Sequence, residues 1–338
     1  MAHSALALSK VPFFLSDSIR IPFVLDDGTQ VPSLNLAFRW EGNPQGPLMV
    51  IMGGISAGRH VTDMGKQKGW WSDFVGPNRA INTQQVQVLS FDYLGGAGNT
   101  THAEDLETEI PGFRGWVSTV DQARLLSNLL DYLGIEQIET VIGSSYGGMV
   151  ALAFSQLFPN RVQKQIIISA ADRSIPQALA LRSIQRETVR FGLRSGRPEQ
   201  GLNLARQLAM VTYRTPKEFN GRFRDGFNQD GETDSILTYL NHCGRKFARK
   251  FSAQSFLCLS ESIDRHRIEP SQIKTPTELI GILSDQLIPP WQMEEMRENL
   301  AGPARLTLIE SLYGHDAFLK EIETLSQILC CCIGGNHD

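Results

Sequence analysis

Nothing in the chain limits its fold as tightly as Val141-Ile142-Gly143-Ser144-Ser145-Tyr146-Gly147-Gly148-Met149, where an apolar run breaks into Gly-x-Ser-x-Gly and resumes as an amphipathic segment. The pattern reads as strand, sharp turn and helix. A serine at the tip of a strained strand-to-helix turn projects its hydroxyl into a cleft, and small residues on either side let the turn close. Ser145 is therefore the candidate nucleophile, and the backbone N–H of Tyr146 points to where an oxyanion would form. The five-residue pattern alone also fits an ordinary glycine-containing loop.

Its downstream context separates the two readings. Thr277 to Asp285 and Arg305 to Ser311 read as buried strands, the first ending in an acid and the second followed by Tyr313-Gly314-His315-Asp316. Serine, then acid, then histidine, each at the carboxyl end of a strand, is the chain order of the α/β-hydrolase fold. Asp285 and His315 lie 30 residues apart, which leaves room for one helix and one strand. Asp285 is the expected orienting acid and His315 the expected base. The other histidines fit less well. His3 and His337 are terminal, and His102, His242 and His266 are expected on the surface. His60 follows a glycine-rich loop, but it precedes the serine and no strand ends beside it.

The rest of the chain agrees with an α/β architecture. Ile19 to Val24 and Leu34 to Trp40 bracket Asp26-Asp27-Gly28 as a hairpin, and Pro22 and Pro32 suggest edge strands. Buried strands are expected at Leu48 to Met52, Val86 to Phe91, Glu139 to Gly143 and Gln163 to Ser169. Leu126, Leu129, Leu130 and Leu133 fall at helical spacing, with Gly134 as the cap. Alternating strands and helices imply a mostly parallel sheet flanked by helices. Residues 173–271 change character, being rich in Arg, Gln and helix formers without a clear strand. They are expected to form a helical cap inserted into a hydrolase core of residues 1–172 and 272–338. Such a cap would wall off solvent and supply substrate contacts; the plainer alternative is helices that only pad the sheet.

Composition excludes several classes. At 338 residues the chain can bury a large core, and a net charge of −4 with no long basic block leaves no nucleic-acid footprint. No apolar run approaches the ~20 residues that cross a bilayer, and the start lacks a signal-like apolar stretch, so no membrane partner and a cytoplasmic location are expected. The five cysteines, Cys243, Cys258 and Cys330 to Cys332, include no Cys-x-x-Cys pair and read as reduced thiols. Gly95-Gly96-Ala97-Gly98 lacks the lysine and spacing of a phosphate loop and reads as a tight turn.

Five segments carry a resemblance to a known family. They are Gly143 to Met149, Met210-Val211-Thr212-Tyr213-Arg214-Thr215, Lys246-Phe247 through Ser255-Phe256-Leu257, Ser284-Asp285-Gln286-Leu287-Ile288-Pro289-Pro290, and Tyr313-Gly314-His315-Asp316-Ala317-Phe318-Leu319. In this order they resemble the homoserine O-acetyltransferase family, α/β-hydrolase-fold acyltransferases of methionine synthesis. The resemblance implies acyl transfer from acyl-CoA, as co-substrate, to the hydroxyl of L-homoserine through an ester on Ser145, with no metal or redox cofactor, in a homodimer. It also implies that Arg214 meets the homoserine carboxylate and Asp316 the amine. Where members commonly read His-Ala-Leu-Thr-Gly, this chain has Gly53-Gly54-Ile55-Ser56-Ala57. Backbone donors do not depend on side chains, so Ile55 is still expected to complete the oxyanion hole with Tyr146.

Two cues bear on the acyl group. Succinyl-using members of the family tend to carry an arginine where this chain has Leu287, which points to acetyl. Arg59, beside the oxyanion loop, would pair with a succinyl carboxylate if it reached the donor; a solvated surface charge is the alternative reading. Acetyl is the expected donor. A succinyltransferase, a serine O-acyltransferase and an esterase with the same triad are the remaining alternatives.

Overall fold

The structure, a computed structural model, describes residues 13–224, 226 and 235–334. Strands β1 (Phe13–Val24), β2 (Gln30–Gly42), β3 (Leu48–Met52), β4 (Gln87–Phe91), β5 (Ile138–Ser144), β6 (Val162–Ile168), β7 (Thr277–Ile282) and β8 (Ala304–Ile309) make one eight-stranded sheet. Their order is β1-β2-β4-β3-β5-β6-β7-β8. Only β2 runs against its neighbours; every pairing from β4 to β8 is parallel. The expected α/β-hydrolase sheet, mostly parallel and flanked by helices, is present.

Successive strand side chains point to opposite faces, so each central strand feeds two cores at once. Val50, Met52, Val141, Ile167 and Leu279 belong to one core with helices α1 (Ala103–Glu109), α2 (Thr119–Tyr132), α3 (Tyr146–Leu157) and α9 (Pro290–Asn299). Met49, Ile51, Ile142, Ile166, Ile168 and Ile280 pack on the other against Trp71, Phe74 and helix α10 (Ile322–Gly334). Both faces are covered, which is why these strands read as continuous apolar runs. Each buried Leu, Ile or Met contributes roughly 1.5–3 kcal/mol.

Two strand expectations need correction. The hairpin closes at Gly28 with φ +88°, but only β1 is an edge; β2 pairs with β4 on its other side. Pro22 and Pro32 are tolerated because the β1–β2 register breaks between Ile21 and Phe23, where neither proline has a ladder partner. β8 is not buried. It is the other edge of the sheet, and Leu308 is 42% exposed.

Among the described residues, helices α4 (Pro176–Arg194), α5 (Pro198–Tyr213), α6 (Pro216–Arg222), α7 (Ser235–Ala248) and α8 (Ala253–Arg265) lie between β6 and β7. Proline at the first position of α4, α5 and α6 presets φ where the N–H would have no helical partner. A Cβ on Gly192 would fall 2.8 Å from Gly201 Cα, so α4 and α5 meet backbone to backbone. Among the described residues no helix is long and apolar enough to cross a membrane. All five cysteines are free thiols; Cys330 to Cys332 sit in α10.

His266, expected on the surface, is 3% exposed and fastens the end of α8 to the core. Its Nε2–H donates to the Ala171 carbonyl at 3.1 Å, which leaves Nδ1 to accept from the Thr119 hydroxyl at 2.8 Å. Burial pushes its pKa down to about 3 from the ordinary 6.5, so the folded protein holds it neutral. Below pH 6.5 the unfolded chain binds a proton that the native state refuses, and stability falls as pH drops from 6.5 towards 3. His266→Ala should cost about 1–3 kcal/mol at pH 8 by orphaning its two partners. It should also narrow the stability gap between pH 8 and pH 5, both read by urea denaturation. An unchanged gap would show that His266 does not carry this pH dependence.

Candidate active site

The order β4-β3-β5 makes the chain leave β3 in opposite directions, which opens a crevice at the carboxyl ends of β3 and β5. Ser145 stands there, one residue past β5, with φ 52° and ψ −121°. That conformation costs a non-glycine residue roughly 1–3 kcal/mol, so the surroundings must impose it. The Ser145 N–H donates to Ile168 O at 2.9 Å, and the Ser145 carbonyl accepts from Gly148 and Met149 in the first turn of α3. Gly147 permits the closeness: a Cβ there would lie 2.4 Å from the Met52 backbone. The Gly147 N–H donates to Gly53 O at 2.8 Å, and Tyr93 Oη donates to the same carbonyl at 2.7 Å. The end of β3 and the elbow are thus stapled together.

Three side chains form a chain of hydrogen bonds. Ser145 Oγ lies 2.8 Å from His315 Nε2, and His315 Nδ1 lies 2.7 Å from Asp285 Oδ2. The other Asp285 oxygen accepts from the N–H groups of Leu287 at 2.9 Å and Ile288 at 3.1 Å. All three sequence candidates for a triad therefore converge. Burial disfavours the imidazolium of His315, but Asp285, with help from Asp316, outweighs it and lifts the pKa above the ordinary 6.5. The arrangement can move a proton from Ser145 to His315 while Asp285 fixes the ring.

Two cavities meet at this serine. One, of about 40 Å³, includes Ser145, Leu181, Arg182, Gln185, Ser260 and Leu287 in its wall. The other, of about 160 Å³, includes Ser145, Trp70, Arg206 and Asp316. Ile55, Ser145, Tyr213, Ile263 and His315 line both. Among the described residues no cluster of three or more His, Cys, Asp or Glu side chains is placed to hold a metal ion.

Residues 47–322 match the family model of the alpha/beta hydrolase fold. The chain is 35% identical to a homoserine O-succinyltransferase of Xanthomonas campestris, over 88% of this chain and 78% of that protein. It is also 30% identical to a homoserine O-acetyltransferase of Moorella thermoacetica, over 90% of this chain and 91% of the relative. The chain belongs to the homoserine O-acyltransferase family of α/β-hydrolase-fold proteins. A homoserine O-acetyltransferase from Staphylococcus aureus shares the fold with TM-score 0.83 at 24% identity, covering 96% of this chain and 97% of that one. Esterase E22 shares it with TM-score 0.82 at 19% identity, covering 94% and 99%. The two likenesses at this level speak for the fold alone.

Of the other residues singled out in the sequence, Ile55 lies at both cavities, and Tyr146 opens α3 with its side chain buried and its Oη 2.8 Å from Ser262 Oγ. Asp316 lines the larger cavity. Arg214 lines neither; its Nε donates to Asp316 Oδ2 at 2.9 Å, with Glu218 3.6 Å from Nη1. Arg59 also lines neither cavity. It is held by the buried carboxylate of Asp92, to which its backbone N–H donates at 2.8 Å. It is thus neither a solvated surface charge nor a group facing Ser145. Sequence reasoning missed Arg182, Gln185, Arg206 and Tyr213. Their spacing, three residues on α4 and seven on α5, puts each pair on one helix face, and Tyr213 also lies in the Met210 to Thr215 segment that carries the resemblance.

Because the pKa of His315 is raised, the neutral base should predominate only at a pH above 6.5. The rate at which a fluorophosphonate labels Ser145 should therefore have an acid limb with its midpoint above 6.5. Asp316→Asn removes an anion that favours the imidazolium, so it should move that midpoint downward. An upward or absent shift would show that Asp316 does not act on His315.

Proposed function

We propose that the protein is a homoserine O-acyltransferase working through an ester on Ser145. The observation that carries this reading is the Ser145–His315–Asp285 chain, set between two cavities in a member of this family. His315 takes the Ser145 proton as Oγ attacks the thioester carbonyl of acyl-CoA. The N–H groups of Ile55 and Tyr146 hold the developing oxyanion, the C–S bond breaks, and His315 returns its proton to the departing sulfur. In the second half His315 takes the proton of the homoserine hydroxyl, which attacks the ester. Oγ of Ser145 leaves and is reprotonated by His315.

An amino-acid acceptor carries both charges, so its site needs an anion and a cation. The larger cavity has them in Asp316 and Arg206, with Arg214 bonded behind Asp316. In this reading Asp316, braced by Arg214, meets the ammonium, and Arg206 meets the carboxylate. The reading extends to a cytoplasmic homodimer serving methionine synthesis, to which the exposed Ile184 and Phe191 on α4 and Leu204 and Val211 on α5 lend an apolar face.

The test is a CoA-release assay that crosses acetyl- and succinyl-CoA with homoserine, serine and water. Release that requires homoserine supports the proposal; equal release with water would favour an esterase, and a serine preference would favour a serine O-acyltransferase. Ser145→Ala should lower turnover on the order of ~10⁶-fold, as removal of a triad serine does elsewhere. Since CoA leaves before homoserine reacts, initial-rate plots at several homoserine concentrations should be parallel. Intersecting lines, with no acylated Ser145 peptide after acyl-CoA alone, would argue for direct transfer.

A further inference from the structure

The loop that carries Ile55, residues 53–59, has little apolar packing to hold it. No residue from Gly54 to Arg59 is fully buried, and Gly54 and Gly58 leave the backbone free to turn. The Ile55 N–H donates to no acceptor among the described residues, which leaves it open to an oxyanion. Such a donor must be aimed before the reaction starts, because its value lies in needing no reorganisation at that moment. Polar anchors at the two ends of the loop therefore decide where Ile55 points.

Both ends are anchored from the carboxyl end of β4. At the near end Tyr93 Oη donates to Gly53 O at 2.7 Å. At the far end Asp92 grips Arg59 with both oxygens: Oδ1 accepts from the Arg59 N–H at 2.8 Å, and Oδ2 pairs with Arg59 Nη1. Oδ2 also accepts from the Asn99 N–H at 2.8 Å. Ser90, two residues earlier, donates its hydroxyl to the Arg59 carbonyl at 2.9 Å, and Trp70 Nε1 donates to Gly58 O at 3.0 Å. The Asp92 carboxylate is 2% exposed and is wrapped closely by two backbones. A Cβ on Gly58 would run into Oδ1, and a Cβ on Gly98 would run into Oδ2. The run Gly95-Gly96-Ala97-Gly98 thus acquires a purpose, since its last glycine, at φ +112°, lets the loop after β4 close over this carboxylate. Asp92 lines neither cavity at Ser145, so any influence it has on the reaction passes through the loop.

We propose, resting on the acyltransferase reading above, that Asp92 is a positioning residue of the reaction. By gripping Arg59 it fixes the far end of the loop and so aims the Ile55 N–H at the oxyanion. Tyr93 serves the near end through Gly53, and Arg59 is the handle by which the loop is held. One donor serves both half-reactions, because each passes through a tetrahedral oxyanion on the carbon bonded to Ser145 Oγ. Loosening Asp92 must then slow both by one factor while leaving the binding of ground-state ligands alone.

Asp92→Asn keeps the shape of the side chain but turns an amide NH₂ towards at least one of three donors. In the full-length protein it should slow acylation of Ser145 by acyl-CoA and deacylation by homoserine alike, each by about 10²-fold, the scale of one oxyanion donor. Trifluoroacetonyl-CoA, a ketone to which Ser145 adds but which it cannot cleave, forms the oxyanion and should bind more weakly by the same factor. S-Ethyl-CoA, a thioether without a carbonyl, forms none and should bind as it does to the wild type. Gly58→Ala retains every charge while its Cβ displaces the carboxylate, and should move the same readouts in the same direction, which covers the case that Asp92→Asn fails to fold. Arg59→Lys, which keeps a cation for the carboxylate, should retain more activity than Arg59→Met. Wild-type rates in Asp92→Asn or Gly58→Ala would overturn the proposal. So would slowing confined to one half-reaction, or equal weakening of the ketone and the thioether, which marks a general collapse of the donor site. If the wild-type protein released no CoA in response to homoserine, the acyltransferase reading would fall instead. The burst of p-nitrophenolate from p-nitrophenyl acetate would then read the Asp92 effect through the same serine and the same donor.

Discussion

The carbonyl of Gly53 accepts two hydrogen bonds, from the Gly147 N–H and from the Tyr93 hydroxyl, and the site is organised around that atom. The first bond joins the loop after β3 to the helix after β5, so the two segments cannot drift apart. The second passes to Tyr93, whose ring stacks edge-on against Tyr146 at 4.9 Å. Tyr146 in turn bonds Ser262 on α8. One backbone oxygen therefore links the sheet, the elbow and the helical layer above it. The left-handed backbone of Ser145 is affordable only in such a frame, because every neighbour that might let it relax is itself held.

Charge is distributed around the serine with similar economy. On one side Asp316 leans towards His315 and is neutralised by Arg214, so it raises the basicity of the imidazole without standing as an isolated buried anion. On the other, Arg182 and Arg186 crowd a single buried aspartate. The first arrangement is nearly closed on itself; in the second two arginines share Asp264, and Arg186 also lies 3.3 Å from Glu261.

Much of this was readable in the chain. Ser145, Asp285 and His315 were found because each ends or follows an apolar run, and short-range pattern suffices to place strand ends. The interior strands followed from the same apolar runs. The position of β2 inside the sheet was not readable, since a strand's second neighbour is chosen by residues 87–91, far along the sequence, and the register break that shelters Pro22 and Pro32 leaves no local mark. His266 looked solvated because its sequence neighbours are charged; only the fold shows Thr119 and Ala171 closing on it. Arg59 sits beside the oxyanion loop in sequence, yet Asp92 turns it aside. Arg182 was hidden for the opposite reason. An arginine-rich amphipathic helix reads as a wet face until the layer beneath it is known.

The origins of the lining residues divide along the architecture. Ser145, His315, Asp285, Ile55 and Tyr146 all stand just past the ends of sheet strands. Arg182, Gln185, Arg206, Tyr213 and Ser260 all come from the helices between β6 and β7. Reaction and preference are therefore inherited from different parts of the chain. A substitution on the helices reshapes the cavity walls while Ser145, His315 and Asp285 stay where the sheet holds them.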